Sequence, residues 1–382
     1  MMHRRAAAGG AGVHSKGVVM GLSKKARGGV VVLAVLLVLL AAAWSQRGPL
    51  TLWVMQRQVA AQTALADPLA ALPDGLHVGL CGAGSPFPDE QRGGPCTAVV
   101  AGRRLFVFDA GSGAGRHIGR MQLNAGQIEA LFLTHYHSDH IDGLGELMLQ
   151  RWVQGAATAP LPIHGPPGLE AVLQGFRQAY TPDQGYRVAH HNEQTVPPGG
   201  FGGTAMPFDL PADSGRKVLL AGPELEIVAF TVDHAPVAPA VGYRIRYKDR
   251  SVVISGDTRK SAAVAREAQG VDLLLHEALS PVLLSVLEQG FSQAGRPRLA
   301  KIMHDVLDYH TTPDEAAEIA QAAGVRALVL HHIVPPLPSR GLDPLFLQRA
   351  GEIYRGPLRI GTDGDWVTLP AGSTTVQIGR RP

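Results

Sequence analysis

The sequence predicts an α/β fold, preceded by one apolar segment suited to a transmembrane helix. From residue 76 onward, short apolar runs typical of strands alternate with segments of helical periodicity. The 382-residue chain has 46 glycines and 28 prolines, and 5% of its residues are aromatic, which indicates many tight turns and not disorder. We therefore expect four regions: a basic segment 1–27, an apolar segment 28–44, a stalk and linker 45–75, and a folded domain 76–382.

The apolar segment 28–44 is either an uncleaved signal anchor or a signal peptide cleaved after Ala41–Ala43. It carries no charge, and the 27 residues before it hold six basic residues and no acidic residue. As a helix it would cover roughly 25 Å, a little less than a bilayer core. Trp44 and Trp53 suit a membrane interface and favour the anchor. The basic flank then predicts a membrane-anchored protein with its folded domain outside the cytoplasm (periplasmic in a Gram-negative bacterium), or a secreted protein if the leader is cleaved.

The charge of the chain is divided unevenly. Residues 1–66 contain eight basic residues and no acidic residue, so the remainder has 27 basic against 32 acidic residues and a net charge of −5. Nucleic-acid affinity comes largely from neutralising phosphates. An acidic domain is a poor electrostatic match for a polyanion, so nucleic acid is expected to be an unlikely partner.

The folded domain has a predictable order of elements. Pro166 and Pro313 mark helix starts, because proline is tolerated in the first helical turn, and Thr311 or Thr312 would cap the later helix. Residues 181–222 are weakly patterned and predict short strands and turns, with His190 and His191 at the surface. The predicted strands are 76–80, 97–100, 105–108, 131–134, 161–164, 225–232, 240–247, 251–256, 271–275 and 327–330, and the predicted helices are 141–153, 166–180, 258–268, 283–289, 298–307 and 313–323.

The chain has two cysteines, Cys81 and Cys96, which flank a loop rich in glycine and proline. In an exported protein they would form a disulfide that closes this loop. Two small buried thiols are the other interpretation, and the sequence leaves both open.

A dense group of metal-ligand residues follows the buried strand that ends at Thr134. Four ligand-type residues occur within six positions, in the segment LFLTHYHSDHID, on a loop before a helix. Imidazole and carboxylate together suit zinc, or similar divalent metals such as manganese or iron. The candidates in this group are His135, His137, Asp139 and His140.

This pattern resembles the metallo-β-lactamase superfamily over roughly residues 76–370. The resemblance implies a four-layered αβ/βα sandwich with its site at one edge of two facing sheets. It also implies two divalent metal ions, most often Zn²⁺ with Mn²⁺ or Fe²⁺ as alternatives, that share a hydroxide nucleophile. His331 precedes His332 and is a second candidate for the same ligand position, and the superfamily match assigns that position to His332. The resemblance assigns His135, His137 and His234 to one metal, Asp139, His140 and His332 to the other, and Asp257 to a bridge between them.

Two later segments, His276-Glu277-Ala278 and HTTPDEAAEIAQAAGVRALVLHH, look like motifs of ribonuclease Z and its arylsulfatase-like relatives. In that group the histidine that matches His310 donates a proton to the leaving group, and the glutamate that matches Glu277 holds it. Asp139 is expected to serve catalysis as well as metal binding. Asp109, after another strand, either orients a metal-binding imidazole or caps the next helix.

The sequence therefore predicts an exported, membrane-anchored, dinuclear metal-dependent hydrolase of a small-molecule ester, either a sulfate ester or a phosphodiester. The segments VDHAPVAPAVGYRI, SVVISGDTR and DYHTTPDEA look most like the arylsulfatase-like branch. The alternatives are a ribonuclease Z-like endoribonuclease that processes tRNA 3′ ends, a lactone or carboxylic ester hydrolase, an iron enzyme of redox or sulfur-transfer chemistry, and a non-catalytic metal-binding protein. A ribonuclease Z-type basic arm is missing from 181–222, which disfavours the first alternative. A homodimer is one expected assembly, because dimers are common in this branch.

Overall fold

The structure is a computed structural model that describes residues 24–64, 67–212 and 215–381. The part of the predicted basic segment before residue 24 lies outside these described residues. The chain divides into two compact units, with the boundary between residues 66 and 67.

The first unit consists of two helices, α1 (Lys24–Ser45) and α2 (Arg47–Ala64). Within the described residues, Arg27–Ser45 is the one helical stretch long and apolar enough to cross a membrane, with a mean hydropathy of 2.5. Signal sequences meet the same criterion. The stretch contains the apolar segment predicted at 28–44, and α2 occupies most of the predicted stalk.

The second unit alternates strands and helices along the chain. Single helical turns also occur at Ala125–Gln127, Pro198–Gly200, Val306–Asp308 and Arg340–Leu342. The strands are β1 (Gly75–Gly82), β2 (Cys96–Ala101), β3 (Arg104–Phe108), β4 (Ile128–Phe132), β5 (Leu161–Gly165), β6 (Gly203–Pro207), β7 (Arg216–Ala221), β8 (Leu225–Thr231), β9 (Val241–Tyr247), β10 (Arg250–Ile254), β11 (Leu273–Leu279), β12 (Leu328–Val334), β13 (Leu358–Ile360), β14 (Asp365–Pro370) and β15 (Gln377–Arg380). The helices are α3 (Ala114–Arg120), α4 (Ser138–Ile141), α5 (Leu144–Gly155), α6 (Leu169–His191), α7 (Ala262–Glu267), α8 (Pro281–Gln293), α9 (Pro297–Asp305), α10 (Pro313–Ala322), α11 (Asp343–Leu347) and α12 (Ala350–Ile353).

The strands form two mixed sheets that face each other. One sheet has the order β15-β14-β1-β2-β3-β4-β5-β6, and the other has the order β13-β12-β11-β10-β9-β8-β7. A central apolar core joins them and includes Phe106 and Phe132 from the first sheet and Tyr243 from the second. Helices α3, α5 and α6 cover the outer face of the first sheet, and α7 and α10 to α12 cover that of the second. The predicted four-layered α/β sandwich is therefore confirmed.

Strands buried on both faces explain why the sequence shows apolar runs and not strict alternation. In β2, Val99 and Ala101 enter the core between the sheets, whereas Ala98 and Val100 pack beneath the helices. Successive strand residues point to opposite faces, so a strand between two layers needs apolar residues at every position.

Two predicted helices differ from those observed by more than the positions of their ends. The helix predicted at 141–153 is divided into α4 and α5 by Asp142 and Gly143. The helix predicted to end at residue 180 continues as α6 through Pro182 to His191, where short strands and turns had been expected. Contacts beyond the proline hold this extension, because Gln184 Nε2 donates to the carbonyl of Pro198 at 3.1 Å. Tertiary contacts can offset the hydrogen bond that a helical proline removes.

The open question about the cysteines is decided by the pairing of β1 with β2. Cys81 and Cys96 form a disulfide, with their Cα atoms 4.9 Å apart. The bond closes the glycine- and proline-rich loop 82–95 between the two strands.

Candidate metal centre and active site

The strand order brings the predicted ligands to one edge of the sandwich. β3 and β4 run parallel, as do β10, β11 and β12, and β8 has the same direction as β10 because both are antiparallel to β9. Parallel strands end at the same edge of a sheet. The chain therefore presents at this edge the segments that follow β4, β8 and β10 and the end of β12.

The segment after β4 forms a helical turn where a loop had been predicted. His135 follows the strand and is fully buried, and His137 precedes α4. Asp139 and His140 lie on α4 itself and are buried. A single turn places neighbouring residues on different sides of the helix axis, so this short segment supplies ligands to two positions.

The first group of candidate ligands consists of three imidazoles and one carboxylate. His135 Nε2 lies 3.0 Å from His137 Nδ1, which lies 3.4 Å from His234 Nε2. The donor atoms of these residues and Asp257 all lie within 4.8 Å of one another. Nitrogen lone pairs that converge in this way suit a divalent cation of zinc type.

The second group joins Asp139 and His140 to a residue of β12. His332 Nε2 lies 3.2 Å from Asp139 Oδ2, and His140 Nε2 lies 3.6 Å from the same oxygen. His332 has a positive φ of 48° and stands at an irregularity where β12 has one residue more than β11. Such a bulge re-aims a side chain, and here it brings His332 into the site. Neighbouring His331 lies buried, with no hydrogen-bond partner among the described residues.

Asp257 lies between the two groups. Its Oδ2 is 3.2 Å from the Nε2 atoms of both His140 and His332, and 3.9 Å from those of His135 and His234. Burial disfavours the charged carboxylate, but His332 and His140 outweigh it and hold the pKa of Asp257 well below its usual value. This placement is the one expected of a bridging ligand.

The carboxylates of the site create a negative potential that favours cations. Burial opposes protonation of His140, yet Asp257, Asp109 and Asp139 together raise its pKa well above the usual value. The same negative potential favours a bound cation. Three imidazoles in one group, two in the other and a shared carboxylate form a donor set for two divalent metals.

Two further contacts orient the imidazoles. Asp109 Oδ2 accepts a hydrogen bond from His140 Nδ1 at 2.9 Å, and Asp109 Oδ1 accepts one from the Thr134 amide at 2.8 Å. His234 Nδ1 donates to the Tyr309 carbonyl at 3.0 Å. Such partners fix which ring nitrogen keeps a lone pair for the metal. Asp109 therefore orients a candidate ligand and does not cap α3, whose N-cap position is Gly113.

Glu277 and His310 meet beside the metal-ligand groups, with Glu277 Oε2 3.3 Å from His310 Nδ1. Glu277 lies in β11 without exposure, and its Oε1 accepts a hydrogen bond from the Thr311 amide at 2.7 Å. Burial, with the charge of Asp257, raises the pKa of Glu277 well above its usual value. Burial also lowers the pKa of His310 to about 4. Burial therefore disfavours the charged form of each member of this pair.

A cleft of about 190 Å³ opens over these residues. One side is polar and includes His137, Asp139 and Asp257, whereas the other includes Phe87 and Tyr309. Sequence reasoning missed Phe87. A signal was present, because Phe87 is the one aromatic residue in loop 82–95.

The other predicted histidines lie outside the two groups. His190 and His191 end α6 and are exposed, as predicted. His164 stacks on Phe132 with ring centroids 4.7 Å apart. His276 is buried beside the site, and its Nδ1 contacts the Glu277 carbonyl at 2.8 Å.

Comparison with known proteins agrees with this geometry. Residues 104–333 match the family model of the beta-lactamase superfamily domain. The chain is 38% identical to ribonuclease Z of Mycolicibacterium gilvum over 69% of this chain and 85% of that protein. It is 34% identical to ribonuclease Z of Mycobacterium bovis over 75% of this chain and 96% of that protein.

Two solved structures share the fold. The metallo-β-lactamase-fold protein YhfI of Bacillus subtilis has a TM-score of 0.54 at 22% identity and covers 80% of this chain and 100% of its own. The short form of human tRNase Z has a TM-score of 0.53 at 21% identity and covers 77% of this chain and 99% of its own.

The relatives named ribonuclease Z conflict with the expectation that nucleic acid is an unlikely partner. That expectation rested on the net charge of the whole domain, which does not describe how charge is distributed over its surface. The chain belongs to the metallo-β-lactamase superfamily, in its ribonuclease Z-like branch, and is a metal-dependent hydrolase of ester bonds.

Proposed function

We propose that this hydrolase cleaves phosphodiester bonds in RNA. The observation that carries the proposal is the placement of the Glu277–His310 pair beside two metal-ligand groups, with Asp257 in the first group and in contact with the second. Expulsion of a ribose alkoxide needs both stabilisation of charge at phosphorus and a proton for the leaving oxygen. The names of the relatives support this substrate over the sulfate ester that the sequence favoured.

The chain's own residues would hold two divalent cations. When bound, the ions would supply Lewis acidity at the phosphoryl group and make water acidic enough to attack at neutral pH. Asp109 and the Tyr309 carbonyl keep the ring nitrogens of His140 and His234 aimed at them. The ligands are His135, His137 and His234 for one ion, Asp139, His140 and His332 for the other, and Asp257 for both.

His310 is the proton donor in this proposal. Its Nδ1 faces Glu277 and the residue lines the cleft. Nε2–H would protonate the leaving oxygen while Nδ1 takes the proton that Glu277 holds. The two transfers would leave His310 neutral and move the negative charge of the leaving oxygen to Glu277, whose Oε1 accepts the hydrogen bond of the Thr311 amide.

The test uses the full-length chain loaded with Zn²⁺ or Mn²⁺. It is assayed with a labelled RNA, bis(4-nitrophenyl) phosphate and an aryl sulfate. We expect the RNA and the phosphodiester to react, and His310→Ala to lower kcat for RNA by about 10²–10⁴-fold. The variant should affect the nitrophenyl ester far less, because nitrophenolate leaves without a proton. Turnover of the aryl sulfate alone would overturn the proposal.

A small-molecule ester as substrate and a homodimeric assembly stay predictions.

We also propose that Arg27–Ser45 anchors the protein in a membrane with the catalytic domain outside the cytoplasm. The basic residues that precede this apolar helix support that orientation. The Cys81–Cys96 disulfide supports it independently, because disulfides persist in oxidising compartments. The RNA substrate would then also lie outside the cytoplasm.

A C-terminal fusion to alkaline phosphatase tests the orientation, because that reporter is active only after export. A fusion to a reporter active only in the cytoplasm is the matched control. Activity of the second fusion alone would refute the proposed orientation and leave the hydrolase proposal unaffected.

A further inference from the structure

A groove of about 530 Å³ opens beside the loop that the disulfide closes. The loop leaves the end of β1, which has the same direction as β3 because both pair antiparallel with β2. The groove therefore lies at the same edge of the sandwich as the metal-ligand groups. Its lining includes the end of α3, residues 89–93, residues 362–364, and Arg380 and Arg381.

One loop contributes to both the groove and the catalytic cleft. Pro86 and Phe87 line the cleft, whereas Asp89 and the residues up to Gly93 line the groove. Four residues of extended chain span at most about 14 Å, so Phe87 and Gln91 lie within that distance. A substrate that is itself an extended chain can therefore contact both places at once.

Three arginines give the groove positive charge that no ion pair within the described part of the chain fully neutralises. Arg120 is exposed, and its side chain makes no hydrogen bond or ion pair to any residue that the structure describes. Arg381 lies over the Trp366 ring at 4.5 Å and donates to the Met121 carbonyl at 3.2 Å. Arg380 is 3.8 Å from Asp365, a carboxylate that already binds Arg359.

The acidic residues of the groove are mostly engaged elsewhere. Asp363 accepts hydrogen bonds from the amides of Ala83 and Gly93 at 2.9 and 2.7 Å, and it also contacts His117 at 2.8 Å. Asp89 pairs with Arg92 at 3.2 Å. Among the described residues that line the groove, Glu90 is the one with an exposed carboxylate, against three guanidinium groups.

We propose that the groove lined by Arg120, Arg380 and Arg381 binds phosphate groups of the RNA strand whose scissile bond lies in the cleft. Guanidinium groups match phosphate oxygens in geometry and charge. The inference rests on the proposed function. It also explains how a domain with a net charge of −5 beyond residue 66 holds a polyanion, because the contact is local.

The test measures binding of a fluorescein-labelled single-stranded RNA to the full-length chain, with metal chelated so that no cleavage occurs. The dissociation constant is recorded across a series of KCl concentrations. Each lost phosphate contact on a single strand should reduce the slope of log affinity against log salt by about 0.7. Arg120→Ala and Arg381→Ala are expected to show this reduction, and Arg120→Lys should retain most of the slope.

Arg177→Ala is the matched control, because Arg177 is exposed on α6 and does not line the groove. It removes the same charge, and the basic N-terminal segment is common to all variants. Arg120→Ala disturbs no described contact, so a folding defect is not expected. Equal slopes for wild type, Arg120→Ala and Arg177→Ala would overturn the inference.

The outcomes separate this inference from the proposed function. If the metal-loaded enzyme cleaves RNA but the slope of Arg120→Ala equals that of wild type, the inference about the groove is overturned and the proposed function stands. If Arg120→Ala reduces the slope but the metal-loaded enzyme cleaves no RNA, phosphate binding by the groove is supported and the proposed function is overturned.

Discussion

Replacing Asp109 with asparagine tests whether one carboxylate controls the second metal position. The amide side chain of Asp109→Asn would keep an oxygen for the Thr134 amide, which Asp109 Oδ1 now binds at 2.8 Å. Its NH₂ group would take the place of Oδ2, 2.9 Å from His140 Nδ1. Two N–H donors would then face each other, so the His140 proton would move to Nε2. That nitrogen lies 3.2 Å from Asp257 Oδ2, where the metal lone pair is needed.

The expected effect is specific to one of two ions. Loss of the hydrogen bond that orients a ligand costs about 10–100-fold in metal affinity, or about 1.4–2.8 kcal/mol. We expect this loss at the group of Asp139, His140 and His332. The group of His135, His137 and His234 should keep its affinity within about twofold, because the substitution leaves its nitrogens in place.

Competition with a chromophoric zinc chelator at constant pH measures both affinities. Asp209→Asn is the matched control, since Asp209 is exposed and belongs to neither metal-ligand group. Unchanged affinities in Asp109→Asn, or equal weakening of both ions, would show that Asp109 does not act through His140.

Three other predictions concern pH, the disulfide and the cleft. Metal affinity should fall as the pH is lowered from neutral, because the raised pKa of His140 lets protons compete with the ion at a higher pH than they would at an ordinary histidine. Isothermal titration at several pH values measures this affinity. An affinity that does not change with pH would contradict the prediction. Reduction of the Cys81–Cys96 bond, which links residues 15 apart, should lower the free energy of unfolding by about 3 kcal/mol, as measured by denaturant unfolding against the oxidised protein. Phe87→Ala should raise KM for RNA about tenfold through lost base stacking, whereas Phe87→Tyr should not, and equal KM values in both variants would exclude stacking.

The group of His135, His137, Asp139 and His140 was recognisable from its residue types, whereas His234, Asp257 and His332 were located through the superfamily resemblance. His234 and Asp257 follow apolar runs, and a strand buried on both faces is apolar at successive positions. The structure brings all seven candidate ligands into two adjoining groups. Pro313 likewise predicted the start of α10, and of the two candidate caps, Thr311 and Thr312, the structure shows Thr312 in a complete capping box with Glu315.

Features that depend on contacts distant in sequence were not predictable in this way. Pro182 is a helix breaker by local rules, yet α6 continues beyond it, where Val188 packs against the cluster of Trp152, Val196 and Phe201 and Gln184 reaches Pro198. The choice between a disulfide and two thiols depended on the register of β1 against β2. Neither contact leaves a periodic pattern in the chain.

The sequence by itself determined the fold class, the ligand chemistry and the overall charge, since each follows from residue type and local period. Only the tertiary structure decided how that charge is distributed. Arg120 and Arg381 are separated by 261 positions, and they line one groove because α3 and the chain end after β15 meet at the same edge of the sandwich. Composition sums charges over a chain, whereas a phosphate interacts with those within a few ångströms.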